Sequence, residues 1–283
     1  MDHRPESLSF FTGVKPGVVE DPFLRGIQGF RANTYSNTAS VNGSYPLFRD
    51  LALDGGYSFS IRKTGSILAA TSTGATFFNT NSQNWSVGPR YILTREDSLA
   101  FSYEQTLLTQ TASTAGGQTI DTNLQSLSAI YARVMPGWSF RVAGGATLVE
   151  PASLAYPTAK IRISTDPERV THVQLELSRQ AAPSYYITAG ALISNVGQVS
   201  IVHELSRRLS LQGNLSYAFN ETVPSKTAKF TSFAAGVGLN YKLTKTMALD
   251  FSYNYYDFRT ETAGLNYEIL RNVVGFSLSA QWN

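Results

Sequence analysis

Apolar and polar residues alternate along most of this chain. From Gly137 on, Trp138, Phe140, Val142, Ala146 and Leu148 fall on one side, and Ser139, Arg141, Ala143, Gly145 and Thr147 on the other. Leu209, Leu211, Leu215, Tyr217 and Phe219 alternate in the same way with Ser210, Gln212, Asn214, Ser216 and Ala218. Met247, Leu249, Phe251, Tyr253 and Tyr255 repeat the pattern, as do Val274, Phe276, Leu278, Ala280 and Trp282 near the end. A period of two is the signature of β-strands, whose side chains point to opposite faces in turn.

A soluble sandwich also alternates, so the connections have to separate the two architectures. Tight turns (62–65, 94–97, 135–137, 165–168, 206–208, 244–246) take turns with long polar stretches (79–84, 109–123, 150–156, 220–229, 259–268). Short turns on one side of a bilayer and long loops on the other predict a transmembrane antiparallel up-and-down β-barrel, all-β, of about fourteen strands within roughly 12–16. Strands are expected near 25–41, 50–62, 65–78, 85–94, 98–109, 122–134, 138–149, 157–165, 169–180, 184–206, 209–220, 230–243, 246–259 and 269–282. The span 184–206 is read as one bulged strand, because splitting it breaks the alternation of short and long connections. Both chain ends then fall on the tight-turn side. Residues 1–24, with Pro5, Pro16 and Pro22, fit no strand and are expected to form an irregular periplasmic tail or a plug, leaving 25–283 as the barrel.

Composition supports this reading. Charged residues make up 15% of the 283, against about 25% in an ordinary soluble domain. Each Arg or Lys facing lipid at mid-depth costs about 2–4 kcal/mol, which gives the deficit a physical cause. With 42% hydrophobic and 12% aromatic residues the chain has too much apolar surface to stay unfolded. No run of about 20 apolar residues exists to cross a bilayer as a helix. Cys is absent and the three His (His3, His172, His203) are scattered, so no metal site or cofactor is expected. The net charge of +3 is dispersed, with no Lys/Arg tract to bind nucleic acid.

One unit recurs: strand, short Leu-Thr or Leu-Ser turn, strand. It appears as Tyr91-Ile-Leu-Thr-Arg-Glu-Asp-Ser-Leu-Ala-Phe-Ser-Tyr103, Glu204-Leu-Ser-Arg-Arg-Leu-Ser-Leu211 and Tyr241-Lys-Leu-Thr-Lys-Thr-Met-Ala-Leu-Asp-Phe-Ser-Tyr253. Over about residues 50–283 it resembles the β-barrel porins found with bacterial exopolysaccharide export systems. The resemblance implies a bacterial outer-membrane protein and an exit pore for a secreted polysaccharide, with outer-membrane lipid and periplasmic export proteins as partners. Phe276, Leu278 and Trp282 look like the closing assembly signal of such proteins, although Asn283 follows the last aromatic.

If the apolar face meets lipid, the other face lines a lumen. Its expected pore-lining charges are Arg90, Glu104, Arg141, Lys160, Arg162, His172, Glu176, Asp250 and Arg271, with Asp54 and Arg62 beside them. Arg141, Lys160 and Arg162 lie on consecutive expected strands. They suit a positive stripe drawing in small anionic solutes or acidic sugars, or else pair with acids across the lumen. Gly74, Gly145, Gly236, Gly238 and Gly275 on the same face leave room for a wide lumen or relieve strand curvature. Tyr57, Trp85, Tyr91, Trp138, Tyr217, Tyr241, Tyr253 and Trp282 are expected at the membrane interfaces, where an amphipathic ring sits at headgroup level. His172 faces inward without a nucleophile motif, and no Gly-x-Ser-x-Gly occurs, so no enzyme is expected. Three functions remain open: a polysaccharide conduit, a general or anion-preferring porin, and a structural or adhesive barrel with a closed lumen.

Overall fold

A computed structural model describes residues 6–7, 32–67, 78–112, 119–166, 169–183, 191–244, 246–262 and 265–280. They form one antiparallel sheet whose strands follow one another in chain order. A two-residue edge strand, β1 (Glu6–Ser7), precedes β2 (Ala32–Phe48), β3 (Leu51–Ile67), β4 (Phe78–Ile92), β5 (Asp97–Ala112), β6 (Thr119–Met135) and β7 (Trp138–Glu150). The meander continues through β8 (Leu154–Thr165), β9 (Thr171–Pro183), β10 (Ala191–Glu204), β11 (Leu209–Val223), β12 (Ala228–Lys242), β13 (Met247–Thr262) and β14 (Leu265–Ala280). The all-β, up-and-down class is therefore the one the alternation predicts. Among the described residues β14 pairs with β13 and has no rung to β1 or β2, so the described ladders leave the cylinder open.

The strands are longer than the apolar pattern indicates. The expected strands 50–62 and 65–78 are not separate: β3 runs through Arg62-Lys63-Thr64-Gly65, with Arg62 opposite Ser36 and Lys63 opposite Tyr35. Likewise 79–84, expected as a loop, belongs to β4. Turn-like composition misleads here for one reason: a strand that continues into water is polar on both faces, and its backbone ladder keeps it extended. Hydrocarbon needs about 9–11 tilted residues per strand, whereas β3 and β6 have 17 each. The expected strand 184–206 is described only as Ala191–Glu204. Of the N-terminal tail, all but Glu6–Ser7 lies outside the described residues, as does Trp282.

The recurrent Leu-Thr and Leu-Ser units are turn caps. Thr94 Oγ1 accepts the backbone N–H groups of Glu96 (3.1 Å) and Asp97 (3.0 Å), while the Leu93 N–H donates to the Asp97 carbonyl at 2.9 Å. Ser206 Oγ accepts from Arg208 (3.3 Å) and Leu209 (3.1 Å). Thr244 Oγ1 accepts from Thr246 (3.2 Å) and Met247 (3.0 Å). A short hydroxyl at this place satisfies donors that the tight turn leaves outside the ladder. Where no hydroxyl is available, between β6 and β7, Gly137 adopts φ 80°, a conformation side chains disfavour.

Register sorts the side chains onto two faces. One carries Tyr57, Phe101, Leu127, Leu215, Phe251, Val274 and Phe276, all exposed. The other carries Ser, Gly, Ala, Asn and about half of the strand charges, yet holds nearly all the buried positions. Polar side chains are crowded and large apolar ones open because the sheet curls with its polar face inward. That inversion of the soluble pattern is what a lipid-facing wall requires.

Candidate functional site

The nine expected lumen charges lie on this concave face. Two cross-strand rungs order the central ones: Arg141↔Arg162↔Glu176↔Gln198, and Ala143↔Lys160↔Ser178. Arg141 and Arg162 thus sit directly opposite each other, a repulsive arrangement unless an acid intervenes. Glu176 is that acid. Its Oε1 lies 2.8 Å from Lys160 Nζ and its Oε2 accepts both Nε and Nη2 of Arg162. Arg141 has no ion pair among the described residues, so the cluster keeps three cations against one carboxylate. In this one patch, part of the charge is paired and a positive excess remains.

The other candidates are dispersed: Arg90 is ion-paired, and Glu104 and Asp250 are held by neutral side chains. Arg90 Nε donates to Asp54 Oδ2 at 2.8 Å, and its Nη2 reaches Ser44 Oγ at 3.3 Å. Glu104 accepts from Asn84 Nδ2 (2.5 Å), and Asp250 from Asn240 Nδ2 (2.5 Å) and Ser277 (3.5 Å). Arg271 stands opposite Tyr256 on the β13–β14 ladder. His172 Nδ1 lies 3.3 Å from Thr165 Oγ1. His203, on the outward face, lies 2.7 Å from Thr171 Oγ1.

Around these charges the face is built of small hydroxyls and amides. Ser126 bonds Thr147 at 2.7 Å and Ser139 bonds Ser164 at 2.6 Å, each across one rung. Gly236 lets Asn214 and Asn254 converge from both sides, for a Cβ there would lie 2.4 Å from Asn214 Oδ1 and 2.3 Å from Asn254 Oδ1. Gly145 is needed for a closer contact, since its Cβ would fall 2.0 Å from the Leu127 carbonyl oxygen.

One feature was missed by the sequence reading. Near the loop end the concave face stops being small: Leu108, Leu124, Val149, Leu192, Phe230, Tyr256 and Phe258 fill it, all buried. Tyr256 and Phe258 stack at 6.0 Å. The wall itself turns in here. The β8–β9 ladder runs only from Ala159↔Arg179 to Ser164↔Gln174, so the two strands part on the loop side. Ala191 and Ile193 of β10, with Val223 of β11, then join Leu124 and Val149 of β6 and β7 in one buried cluster. By register Ala191 and Ile193 belong to the outward face. Their burial means that the ends of β9–β11 lie inside the curve of β6–β8. The signal in the sequence was the appearance of large apolar residues at inward positions that elsewhere hold Ser and Gly.

The aromatics expected at the membrane interfaces, Tyr57, Trp85, Tyr91, Trp138, Tyr217, Tyr241 and Tyr253, all share the outward face. Tyr91, Trp138 and Tyr241 lie near the tight turns, and Tyr57, Trp85, Tyr217 and Tyr253 further along. Beyond the latter group the outward face becomes polar. Gln105 Nε2 donates to Asn123 Oδ1 (3.0 Å), Asn123 Nδ2 donates to Glu150 (2.7 Å), and Arg259 bridges Asp257 and Glu268 at 3.0 Å each.

A curled meander with an apolar outward belt, a small polar inward face and a polar outer collar is the wall of an outer-membrane β-barrel. Residues 157–281 match the family model described as "Putative beta-barrel porin 2", so over its C-terminal part the chain is similar to that porin family. The fold is accordingly that of an outer-membrane β-barrel wall, and the similarity to the porin family covers residues 157–281. Among solved structures, the siderophore receptor PiuA from Acinetobacter baumannii is similar at 9% identity and a TM-score of 0.45, over 85% of this chain and 50% of that one. The chain thus spans half the length of that receptor. The translocator domain of the autotransporter NalP from Neisseria meningitidis is similar at 13% identity and a TM-score of 0.35, over 91% and 84% of the two chains. A bacterial polysaccharide outer membrane secretin is similar at 12% identity and a TM-score of 0.31, over 89% and 91%. No curated protein matches the chain.

Proposed function

We propose that this outer-membrane channel is a passive, non-enzymatic conduit for secreted polysaccharide. The observation that carries the reading is the concave face itself: from the tight turns to mid-depth it presents Ser, Gly, Asn and Gln with scattered charges, of which Arg90 and Asp54, and Lys160, Arg162 and Glu176, are ion-paired. Such a surface offers hydrogen-bond partners at many equivalent places and holds a sugar chain strongly at none. Conduction needs binding that is favourable enough to enter and weak enough to leave. The apolar packing of Leu124, Val149, Ile193 and Val223 at the loop end suits a gate that opens for the threaded chain.

A second reading, an anion-preferring porin for small solutes, is favoured by the excess of Arg141, Lys160 and Arg162 over Glu176. Liposome swelling with sugars of graded size tests both. Entry of long oligosaccharides supports the conduit, and a sharp cut-off at mono- or disaccharides supports the porin. No swelling at all, together with no single-channel current, supports a closed structural barrel and removes both.

A further inference from the structure

We infer that the fork between β8 and β9 is a binding site for an anionic lipid of the outer leaflet whose phosphate carries no internal counter-charge. The inference rests on the outer-membrane reading and adds a ligand to the outside of the wall. Its cause is local. Pro157 has no backbone N–H to donate, and the β8–β9 ladder stops at Ala159↔Arg179. At and just below this last rung, on the turn side of the fork, Ala159, Ile161, Leu177, Gly197 and Tyr217 line a groove of about 320 Å³ on the outward face. Ala159 and Gly197 are its small floor, and Ile161, Leu177 and Tyr217 are exposed.

Arg179 stands at the loop-side rim of this groove. Its Nε donates to the Pro157 carbonyl at 3.3 Å and its Nη1 to Asn195 Oδ1 at 2.9 Å, which fixes the guanidinium in place. Neither partner is charged, and among the described residues Arg179 has no carboxylate. Other outward-facing arginines differ: Arg133 lies near Glu96 and Asp97 (3.5 and 3.7 Å), and Arg259 bridges Asp257 and Glu268. An oriented cation above an apolar groove, at the level where the outer wall turns from Leu177 and Gly197 to polar residues, complements a lipid with its phosphate up and its acyl chain down. The strand ends on this same side, at Ile67 and Phe78, Ala112 and Thr119, and Pro183 and Ala191, are joined by longer connections than those on the tight-turn side. In outer-membrane barrels the side with the longer connections is the outer side.

The test is native mass spectrometry of the full chain in detergent, with lipid A and phosphatidylcholine as probes and inorganic phosphate as competitor. Wild-type protein should retain lipid A over phosphatidylcholine, and Arg179→Gln should retain about fivefold less, the weight of one interfacial cation. Gly197→Leu should lose retention too. Its Cβ would sit 3.4 Å from Leu177 Cδ2, so the new side chain occupies the groove without forcing the backbone. Arg133→Gln should behave as wild type. Equal retention by wild type and Arg179→Gln overturns the site. So does displacement of lipid by inorganic phosphate, which would mark an anion site indifferent to the acyl chain. Heat-modifiable migration on gels, measured on the same samples, reports whether a barrel has formed. Its absence would overturn the membrane reading itself, separately from the lipid result.

Discussion

Glu176 lies 2.8 Å from Lys160 and also holds Arg162, so one carboxylate is shared by two of the three cations of this cluster and offsets one unit of their charge. Removing it should raise the positive potential there. A unit charge acting across roughly 8 Å of water is worth about 0.5 kcal/mol, a factor of about two in local anion occupancy. Glu176→Gln should therefore move the reversal potential in a salt gradient toward the chloride potential by about that factor in permeability ratio. A shift toward cations would mean that this cluster does not face the permeation path.

Arg141 is the complementary case. It has no ion pair among the described residues, so its loss removes a charge without stranding a partner. Arg141→Ala should lower anion preference by about twofold in the same recording, with little change in stability. Planar-bilayer measurements at low and high salt check the cause, because screening at about 1 M should abolish the difference.

The turn hydroxyls lend themselves to thermal unfolding. Thr94→Val and Thr244→Val each remove an acceptor serving two backbone N–H groups. Each should destabilise the folded protein by about 1 kcal/mol. Conductance should stay unchanged in both, since neither turn residue belongs to the concave wall.

At the loop end, Leu192 packs with Phe230 and Ala228 where the strand ends turn inward. Leu192→Ala should cost about 2–5 kcal/mol if the site does not collapse. On the conduit reading it should also raise single-channel conductance and the size limit for sugars in liposome swelling. Lower stability with unchanged permeation would show that the cluster only holds the wall together.

On the outer wall, Leu127 is 63% exposed, a position that only lipid makes sensible for so apolar a side chain. Leu127→Arg should destabilise by about 2–4 kcal/mol in a bilayer. In a water-soluble sheet the same change at so exposed a site should cost almost nothing. Unfolding titrations in phospholipid vesicles distinguish the two.

The period-two alternation determined the strand type, the two-faced wall and the face on which Arg141, Lys160, Arg162 and Glu176 lie. A side chain's face is set by its place in the strand, and ladder pairing preserves that parity from strand to strand. The Leu-Thr turns were legible as repeats, because each hydroxyl completes its turn within a few residues. Strand ends were not: Arg62-Lys63-Thr64-Gly65 reads as a turn, yet the β2 backbone opposite holds it extended. Only the tertiary structure decided that Glu176 reaches both Lys160 and Arg162, that β8 and β9 part beyond Ala159 and Arg179, and that Ile193 leaves the lipid face to pack with Leu124 and Val149. Those outcomes depend on how far the sheet curls and where its ladders stop. Curvature is a property of all the strands together, and alternation along any single strand does not encode it.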